Sequence, residues 1–364
     1  MKKLLSLILT LSLCAGLCAC GKDTAPQTQP VAQEQTETPK VEDDGILRIL
    51  VLGHSLGMDS VYLLPAIMEA EGVTDFEIGQ VYGSYSMGLQ RKWYTSGAKK
   101  YTYREYTYGQ DTTWRRADCN GNFSPSIPGE KNDEPIAEGI IAQPMEYGIE
   151  RRDWDIVIIM AASKEQPGVL PPSETYHFSP DNIQPWIDFV LEHDINKATK
   201  PKFAFHVVWS CTDDQSQYND ARWEFINTYY ANSEQPDLDI YKDGMKTVKE
   251  HIVPFGFDYV LPTGTAMQNA KSSVLSGRNL YRDSGHASDY GRLIAGYTWF
   301  CMFTGKDIRD CKIGPFHYAD MLDQNVRRLK QPFELTQQQK DILVESVENA
   351  LKNPYEMTPS QYTK

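Results

Sequence analysis

The sequence predicts an α/β protein in which helices cover both faces of a mostly parallel sheet, a three-layer α/β/α sandwich. Two observations support this. Short apolar runs of strand length recur along the chain, and segments with helical apolar spacing separate them. Strands of a parallel sheet are buried on both faces and therefore read as continuous apolar runs joined by crossover helices. With 364 residues and 41% apolar side chains, the chain can bury such a core.

The first strand and helix are predicted near the start of the folded region, residues 45–364. Residues 46–52 form an apolar run broken only by Arg48 and bounded by two glycines, and helical spacing follows at 62–71. Further strands are predicted at 76–82, 154–160, 203–209 and 257–261. Further helices are predicted at 183–192, 290–303 and 335–351, the last with Thr336 as its N-cap.

Residues 84–153 interrupt this alternation with a polar insertion rich in tyrosine and tryptophan. Its stretch YTYREYTY, at 101–108, alternates with the period of two that strands require, which suits a strand pair. The aromatic rings either form a platform for stacking on sugar faces or cover a small sheet. The second interpretation is favoured.

The N-terminus predicts export and lipidation. Lys2 and Lys3 precede an apolar stretch at 4–17, which has the length of a signal-peptide core. The Leu-Cys-Ala-Cys that follows resembles the lipobox of bacterial lipoproteins, so residues 1–19 are expected to be a signal peptide and Cys20 the lipidated residue. An ordinary secretory signal is the alternative. Residues 20–44 are expected to form a flexible polar tether that holds the protein at the bacterial membrane or envelope.

Charge and cysteine spacing exclude several kinds of partner. Lys and Arg number 36 against 49 Asp and Glu, a formal net charge of −13. Binding to nucleic acid is disfavoured, because neutralising phosphates needs concentrated positive charge. The folded region has no apolar run of the ~18–20 residues that a membrane span needs. Cys119, Cys211, Cys301 and Cys311 match no zinc spacing, and no disulfide, metal or cofactor is assigned.

A serine that follows the first strand is the candidate nucleophile. Gly53-His54-Ser55-Leu56-Gly57 fits the G-x-S-x-G pattern of a nucleophile elbow. Ser55 is expected at the carboxyl edge of the sheet, beside the positive end of a helix. The flanking glycines are expected to let the chain turn sharply and expose the hydroxyl. The alternative is that Ser55 only caps the helix.

The candidate base and its orienting acid lie far along the chain, in Asp283-Ser284-Gly285-His286. A histidine ahead of the 290–303 helix can reach over the sheet edge, and a carboxylate three residues earlier can hold its ring. The alternative is a surface or core histidine. The position in the predicted fold favours catalysis.

Chain order separates two hydrolase plans that use this chemistry. In an α/β-hydrolase the serine follows a central strand, and the acid and histidine are well separated. Here the serine follows the first strand, and the order resembles the SGNH, or GDSL-like, hydrolase superfamily, in which that serine works with a C-terminal Asp-x-x-His. The resemblance implies a flavodoxin-like sandwich in which Ser55 attacks an ester carbonyl, His286 takes its proton and Asp283 orients His286.

Further motifs resemble an uncharacterised branch of that superfamily, a domain of unknown function. In chain order they are Gly53-His54-Ser55, the tyrosine-rich segment 101–114, Trp154-Asp155, the His206-x-x-Trp209 pattern, PTGTAMQN at 262–269 and Asp283-x-x-His286. Their order and spacing agree with the branch from about residue 46 to the C-terminus.

The resemblance also implies an oxyanion hole with three donors. Two are the backbone N–H of Ser55 and an N–H of Gly83 or Ser84. The third is usually an Asn side chain after the third strand. No Asn follows that strand here, which leaves Ser163 or Gln166 as substitutes.

Other polar residues are weaker candidates for contact with substrate: His54, His206, Gln268 and Asn269. His54 stands where the branch has Asn. His206 lies on an apolar strand, where a histidine is more often buried than catalytic. Gln268 and Asn269 either bind substrate or cap a helix. Lys164 and Glu165 are expected to be solvated loop charges.

Two functions are compatible with these features. The first is a surface-anchored serine esterase that removes acetyl or similar groups from a glycan or another ester-bearing molecule. The second is a catalytically impaired, glycan-binding lipoprotein on the same fold, suggested by the missing Asn and by His54. An α/β-hydrolase is a distant third.

Overall fold

The computed structural model describes residues 44–83, 86–109, 114–125, 142–168, 178–196, 199–316 and 334–363. Within these ranges eight strands form one sheet: β1 (Leu47–Gly53), β2 (Phe76–Tyr82), β3 (Thr102–Thr107), β4 (Arg115–Ala117), β5 (Phe123–Pro125), β6 (Ile156–Met160), β7 (Lys202–His206) and β8 (Tyr259–Leu261). Their spatial order is β5-β4-β3-β2-β1-β6-β7-β8. Strands β2, β1, β6, β7 and β8 are parallel, and β3, β4 and β5 extend the β2 edge in antiparallel pairing. The prediction of an α/β fold with a mostly parallel sheet is confirmed.

Helices flank this sheet on both faces. They are α1 (Ser55–Tyr62), α2 (Leu64–Ala70), α3 (Met87–Thr95), α4 (Met145–Ile149), α5 (Ile183–His193), α6 (Asp220–Tyr229), α7 (Pro236–Thr247), α8 (Thr263–Lys271), α9 (Asp289–Thr304) and α10 (Gln337–Lys352). One core joins the sheet to α1, α2, α8, α9 and α10, and the other joins it to α3, α4, α5 and α7. Ile49 and Val51 of β1 enter the first core, whereas Leu50 and Leu52 enter the second. Because successive strand side chains point to opposite faces, an unbroken apolar run belongs to a strand covered on both sides.

The first helix begins earlier than its sequence predicts. Apolar spacing places a helix at 62–71, whereas α1 starts at Ser55, directly after β1. Residues Leu56 to Tyr62 are all buried, and they include Asp59 and Ser60. A helix surrounded by protein has no solvent face, so it lacks the amphipathic period on which sequence analysis relies.

The tyrosine-rich segment is part of the main sheet. Its alternating stretch forms the single strand β3, which pairs with β2 and β4, so the expected strand pair is wrong. Tyr101, Tyr103, Tyr106 and Trp114 are all buried. Rings in the core cannot stack on a sugar, which leaves the interpretation as aromatic cover.

The strand predicted at 203–209 ends at His206. Beyond it, the Gln166 side chain accepts a hydrogen bond from the N–H of Val208 (2.8 Å) and donates one to its carbonyl (3.0 Å). The amide of Gln166 thus replaces a strand neighbour and ends the ladder.

The last helix, α10, begins as predicted with Thr336 at its N-cap. The Thr336 hydroxyl accepts from the Gln339 N–H, and the Gln339 side chain accepts from the Thr336 N–H, which completes a capping box. The α10 helix packs against α8 and α9 in the first core.

The predicted signal peptide, Cys20 and nearly all of the tether at 20–44 lie outside the described residues, which begin at 44. Across the ranges that are described, none of the helices combines the length and apolarity needed to cross a membrane.

Candidate active site

Ser55, His286 and Asp283 meet at one edge of the sheet, although 231 residues separate the serine from the histidine. The Oγ of Ser55 lies 2.8 Å from Nε2 of His286. On the other side of the ring, Nδ1 lies 2.8 Å from Oδ2 of Asp283. The three residues that the sequence selects as catalytic therefore form one continuous hydrogen-bonded line.

The charge on Asp283 sets the tautomer of the histidine. Burial raises the pKa of Asp283, but hydrogen bonds from the His286 ring and from the backbone N–H groups of Gly285 and His286 outweigh it and hold the pKa well below its usual range. An ionised carboxylate can only accept, so Nδ1 of His286 must donate to it. In the neutral ring, Nε2 is then the acceptor for the Ser55 hydroxyl, as a general base requires.

The position of Ser55 follows from the junction between β1 and α1. Ser55 is the first residue of the helix, at the carboxyl end of a parallel strand, so its N–H belongs to the unpaired first turn. The His54 ring caps the helix: Nδ1 accepts from the Leu56 N–H (3.3 Å), and Nε2 donates to the Ala161 carbonyl (3.1 Å). Burial lowers the pKa of His54 to about 4, so the ring is neutral near pH 7. His54 lines the cleft, but both its nitrogens serve the protein rather than a substrate.

The two glycines around Ser55 have a role that differs from the expected one. Neither Gly53 nor Gly57 has a positive φ, so a sharp turn does not explain them. Both face Met160 of β6: a Cβ on Gly53 would lie 2.6 Å from the Met160 sulfur, and one on Gly57 would clash with its terminal methyl. The glycines allow α1 to pack closely on the neighbouring strand.

Asp59, which the sequence analysis does not select, anchors the late loop to the nucleophile helix. It lies one turn after Ser55 and is fully buried. Its Oδ1 accepts from Arg282 (2.7 Å) and Arg292 (2.9 Å), and its Oδ2 accepts from the N–H of Ala287 (2.9 Å). Burial raises its pKa, but the two guanidinium charges outweigh that effect and lower it. A charged residue inside an otherwise apolar buried helix is the signal that could have found it.

The same loop is held from the β7 side. The indole N–H of Trp209 donates to the Gly285 carbonyl (2.7 Å), and the N–H of Thr212 donates to the Ser284 carbonyl (3.2 Å). Trp209, the last residue of the His-x-x-Trp pattern, is thus a support for the loop that carries His286.

Three of the weaker substrate candidates are structural instead. His206 is fully buried, with its ring edge-on to Trp299 and its Nε2 3.4 Å from the Ser60 hydroxyl. Gln268 accepts from the hydroxyl of Ser210, and Asn269 bonds the backbone of Ser346 and Thr358. None of the three lines the cleft beside Ser55. Their prediction as substrate ligands is wrong, because the hydrogen-bonding groups shown here serve the core.

The expected oxyanion donors are only partly available. The N–H of Gly83 continues the ladder between β1 and β2 by donating to the Gly53 carbonyl (2.7 Å), so it cannot serve a substrate. Ser84 lies outside the described residues. Ser163 lines the cleft, whereas both ends of the Gln166 amide are bound to Val208. The donors that remain are the N–H of Ser55 and the hydroxyl of Ser163.

Glu165 is a buried acid, not the solvated loop charge expected from the sequence. It is fully buried, and its Oε2 accepts from the N–H groups of Ala162 (3.0 Å) and Met87 (3.3 Å). Its Oε1 is buried without a hydrogen-bond partner. Burial therefore raises the pKa of Glu165 to about 7, despite the two amides that lower it. This residue ties the loop after β6, which borders the cleft, to the start of α3.

We expect Glu165→Gln to stabilise the protein in alkaline solution. The pKa rises from 4.5 in the unfolded chain to about 7 in the fold, so stability is lost as the pH rises through that range. Glutamine keeps the accepting oxygen and cannot ionise. Its advantage in the free energy of unfolding should grow by about 2 kcal/mol between pH 5 and pH 8, measured by urea unfolding. The exposed Glu224→Gln is the control, and a Glu165→Gln advantage that does not change with pH would contradict the prediction.

Among the described residues, no group of three or more His, Cys, Asp and Glu side chains is placed to hold a metal ion. The chemistry available in the cleft is therefore derived below from its protein groups.

A family model matches residues 142–327, about half of the chain, and its description is "Domain of unknown function (DUF4886)". The chain belongs to the DUF4886 family. The matched segment contains Asp283 and His286 but not Ser55. A crystal structure of a DUF4886 family protein from Bacteroides uniformis superposes with a TM-score of 0.61 at 20% identity, covering 88% of this chain and 100% of that chain. The fold is therefore shared. Comparison with curated proteins finds no match.

Proposed function

We propose that this DUF4886 protein is a serine esterase of the SGNH, or GDSL-like, type. The observation that carries the proposal is the line from Ser55 through His286 to Asp283, with both hydrogen bonds at 2.8 Å. Nucleophile, base and orienting acid within hydrogen-bond reach are the arrangement that activates a serine.

The strand order supports the same assignment. Taken in chain order, the five parallel strands lie as 2-1-3-4-5, the order of flavodoxin-like sheets. Ligands of such sheets bind beyond the carboxyl ends of the strands, where the order reverses. Here that point lies between β1 and β6. Ser55 directly follows β1 and Ser163 lies three residues beyond β6, and both line a cleft of about 420 Å³.

In the proposed reaction, Oγ of Ser55 bonds to the ester carbonyl carbon while its proton passes to Nε2 of His286. The carbonyl electron pair moves to oxygen, where the N–H of Ser55 at the positive end of α1 stabilises it. Collapse breaks the bond to the alcohol, which leaves with the proton from His286. Water then gives His286 a proton, attacks the acyl-serine and releases the acid. Asp283 stays ionised and holds the imidazolium.

We place this enzyme at the bacterial surface, lipid-anchored through Cys20, on the strength of its N-terminal sequence. A glycan carrying acetyl groups is the proposed substrate because that location would expose the cleft to envelope polysaccharides. The tyrosine-rich segment adds nothing to this choice, since it contributes no residue to the cleft.

A second candidate, a glycan-binding lipoprotein without catalysis, is favoured by one observation. The Gly83 N–H is already bonded, and no side-chain amide is free after β6 to replace the missing Asn. Loss of one oxyanion donor costs on the order of 100- to 1000-fold in rate.

Labelling by a fluorophosphonate probe separates the two candidates. We expect the probe to lose fluoride to the Oγ of Ser55 and to add its mass to the peptide that contains this residue. Ser55→Ala and His286→Ala should abolish labelling, whereas Ser96→Ala, which removes an exposed serine hydroxyl outside the cleft, should not. Glycan binding by a folded protein that resists the probe would instead support the second candidate.

A further inference from the structure

We propose that the cleft contains an anion-binding subsite built on Arg222, so that the ester cleaved at Ser55 carries a carboxylate or phosphate group. This inference rests on the proposed function, because it names the class of substrate for the same site. It starts from a charged side chain that the rest of the protein leaves uncompensated.

Arg222 is buried without a counterion. Only 5% of the residue is exposed, and its Nε and Nη1 are buried with no hydrogen-bond partner. Within the described part of the chain, no carboxylate forms an ion pair with it. A buried guanidinium without an acceptor is costly, since it has lost water and gained nothing in exchange. An anionic ligand would supply the missing acceptors.

The position of Arg222 places those donors beside the catalytic residues. It lies in the first turn of α6, and Asn219 caps that helix by accepting from the Arg222 N–H (2.8 Å). A Cβ on Gly285 would lie 3.4 Å from Nη2 of Arg222, so the guanidinium lies next to the residue that precedes His286. Arg222, Gly285 and His286 line the same cleft. An anion on Arg222 could therefore belong to the molecule whose ester lies at Ser55.

The charges around the cleft also favour an anion. Lys164 lines the opposite side of the loop pair, and its ammonium donates to the Ala221 carbonyl (3.0 Å) in the first turn of α6. Burial and the charge of Arg222 lower the pKa of Lys164, as expected for two cations held close together. The acidic group that lines the cleft, Asp283, is already engaged with His286. A protein with a net charge of −13 thus presents a locally basic cleft.

The first test compares charged and neutral substrates of equal size. We use 4-acetoxybenzoate against 4-acetoxybenzamide for a charge on the alcohol side, and 4-nitrophenyl hemiglutarate against 4-nitrophenyl pentanoate for a charge on the acyl side. For at least one pair, Arg222→Met should lower the ratio of kcat/KM for the anionic ester over the neutral one by about 10-fold or more. The exposed Arg278→Met is the matched control and should leave both ratios unchanged. Ratios that do not depend on Arg222 for either pair would overturn the proposal.

The second test measures binding with catalysis removed. In Ser55→Ala, benzoate or inorganic phosphate at constant ionic strength should raise the Tm, and adding Arg222→Met should abolish that rise. A larger rise with one of the two anions identifies the group, and no rise with either overturns the subsite. If the wild-type protein hydrolyses no ester but the Arg222-dependent rise is present, the esterase proposal fails and the anion site stands.

The unliganded variant separates ligand binding from a structural role. Methionine keeps the apolar packing of the arginine stem and removes an uncompensated charge, so Arg222→Met should keep or raise the Tm without ligand. A lowered Tm together with unchanged substrate ratios would mean that Arg222 only supports α6.

Discussion

Ser55→Ala and His286→Ala are each expected to lower kcat/KM for an aryl acetate by at least about 10⁴-fold. Alanine at 55 removes the atom that bonds to the carbonyl carbon. Alanine at 286 removes the acceptor that lies 2.8 Å from that oxygen, so the hydroxyl keeps its proton and remains a weak nucleophile. The measurement is the initial rate of phenolate release at pH 7.5, with the uncatalysed rate subtracted.

The controls for this result are a serine and a histidine outside the cleft. Ser96→Ala and His251→Ala each replace an exposed residue and should retain wild-type rates. The active-site variants should stay folded, because Ser55 and His286 are only partly buried. Turnover that survives in folded Ser55→Ala and His286→Ala would remove the assignment of these residues as nucleophile and base.

Asp59→Ala is expected to lower the free energy of unfolding by about 3–5 kcal/mol. The carboxylate is fully buried between Arg282 and Arg292, so its loss leaves two cations facing each other beneath the catalytic loop. It also leaves the N–H of Ala287 without its acceptor. Urea unfolding followed by circular dichroism measures the change.

The same substitution should affect catalysis at temperatures where the variant is still folded. Asp59 connects the helix that begins with Ser55 to the residue that follows His286, so its loss should displace the base from the nucleophile. A displacement of about 1 Å costs roughly 100-fold in rate, and we expect kcat to fall by 10- to 100-fold. The control Asp188→Ala removes an exposed helix carboxylate, hydrogen-bonded by Gln184, and should change neither property. Wild-type stability of Asp59→Ala would show that the buried cations find other partners.

Much of the fold is readable from local patterns. The strand at 76–82 agrees with β2, and the predicted helices at 183–192, 290–303 and 335–351 differ from α5, α9 and α10 by one or two residues. These elements have regular apolar periods or clear caps, as Thr336 illustrates. Where every residue of an element is buried, as in α1, the period disappears and the boundary is misplaced.

The polar residues of the site divide in the same way. Ser55, Asp283 and His286 are found from motif and chain order, because a triad needs particular residue types in particular places. Asp59, Glu165 and Arg222 are not, because their importance comes from burial and from the partners that each one has or lacks. His206, Gln268 and Asn269 show the converse, since side chains able to bind a ligand instead bond the core.

The sequence by itself determined the α/β alternation, the three triad residues and their order along the chain. Only the tertiary structure decided that the Gly83 N–H is taken by a strand neighbour, that the glycines around Ser55 make room for Met160, and that Arg222 lies unpaired beside His286. The physical reason is range. Strand and helix patterns arise between residues close in sequence, whereas burial, desolvation and hydrogen-bond satisfaction depend on groups that meet only when the chain is folded.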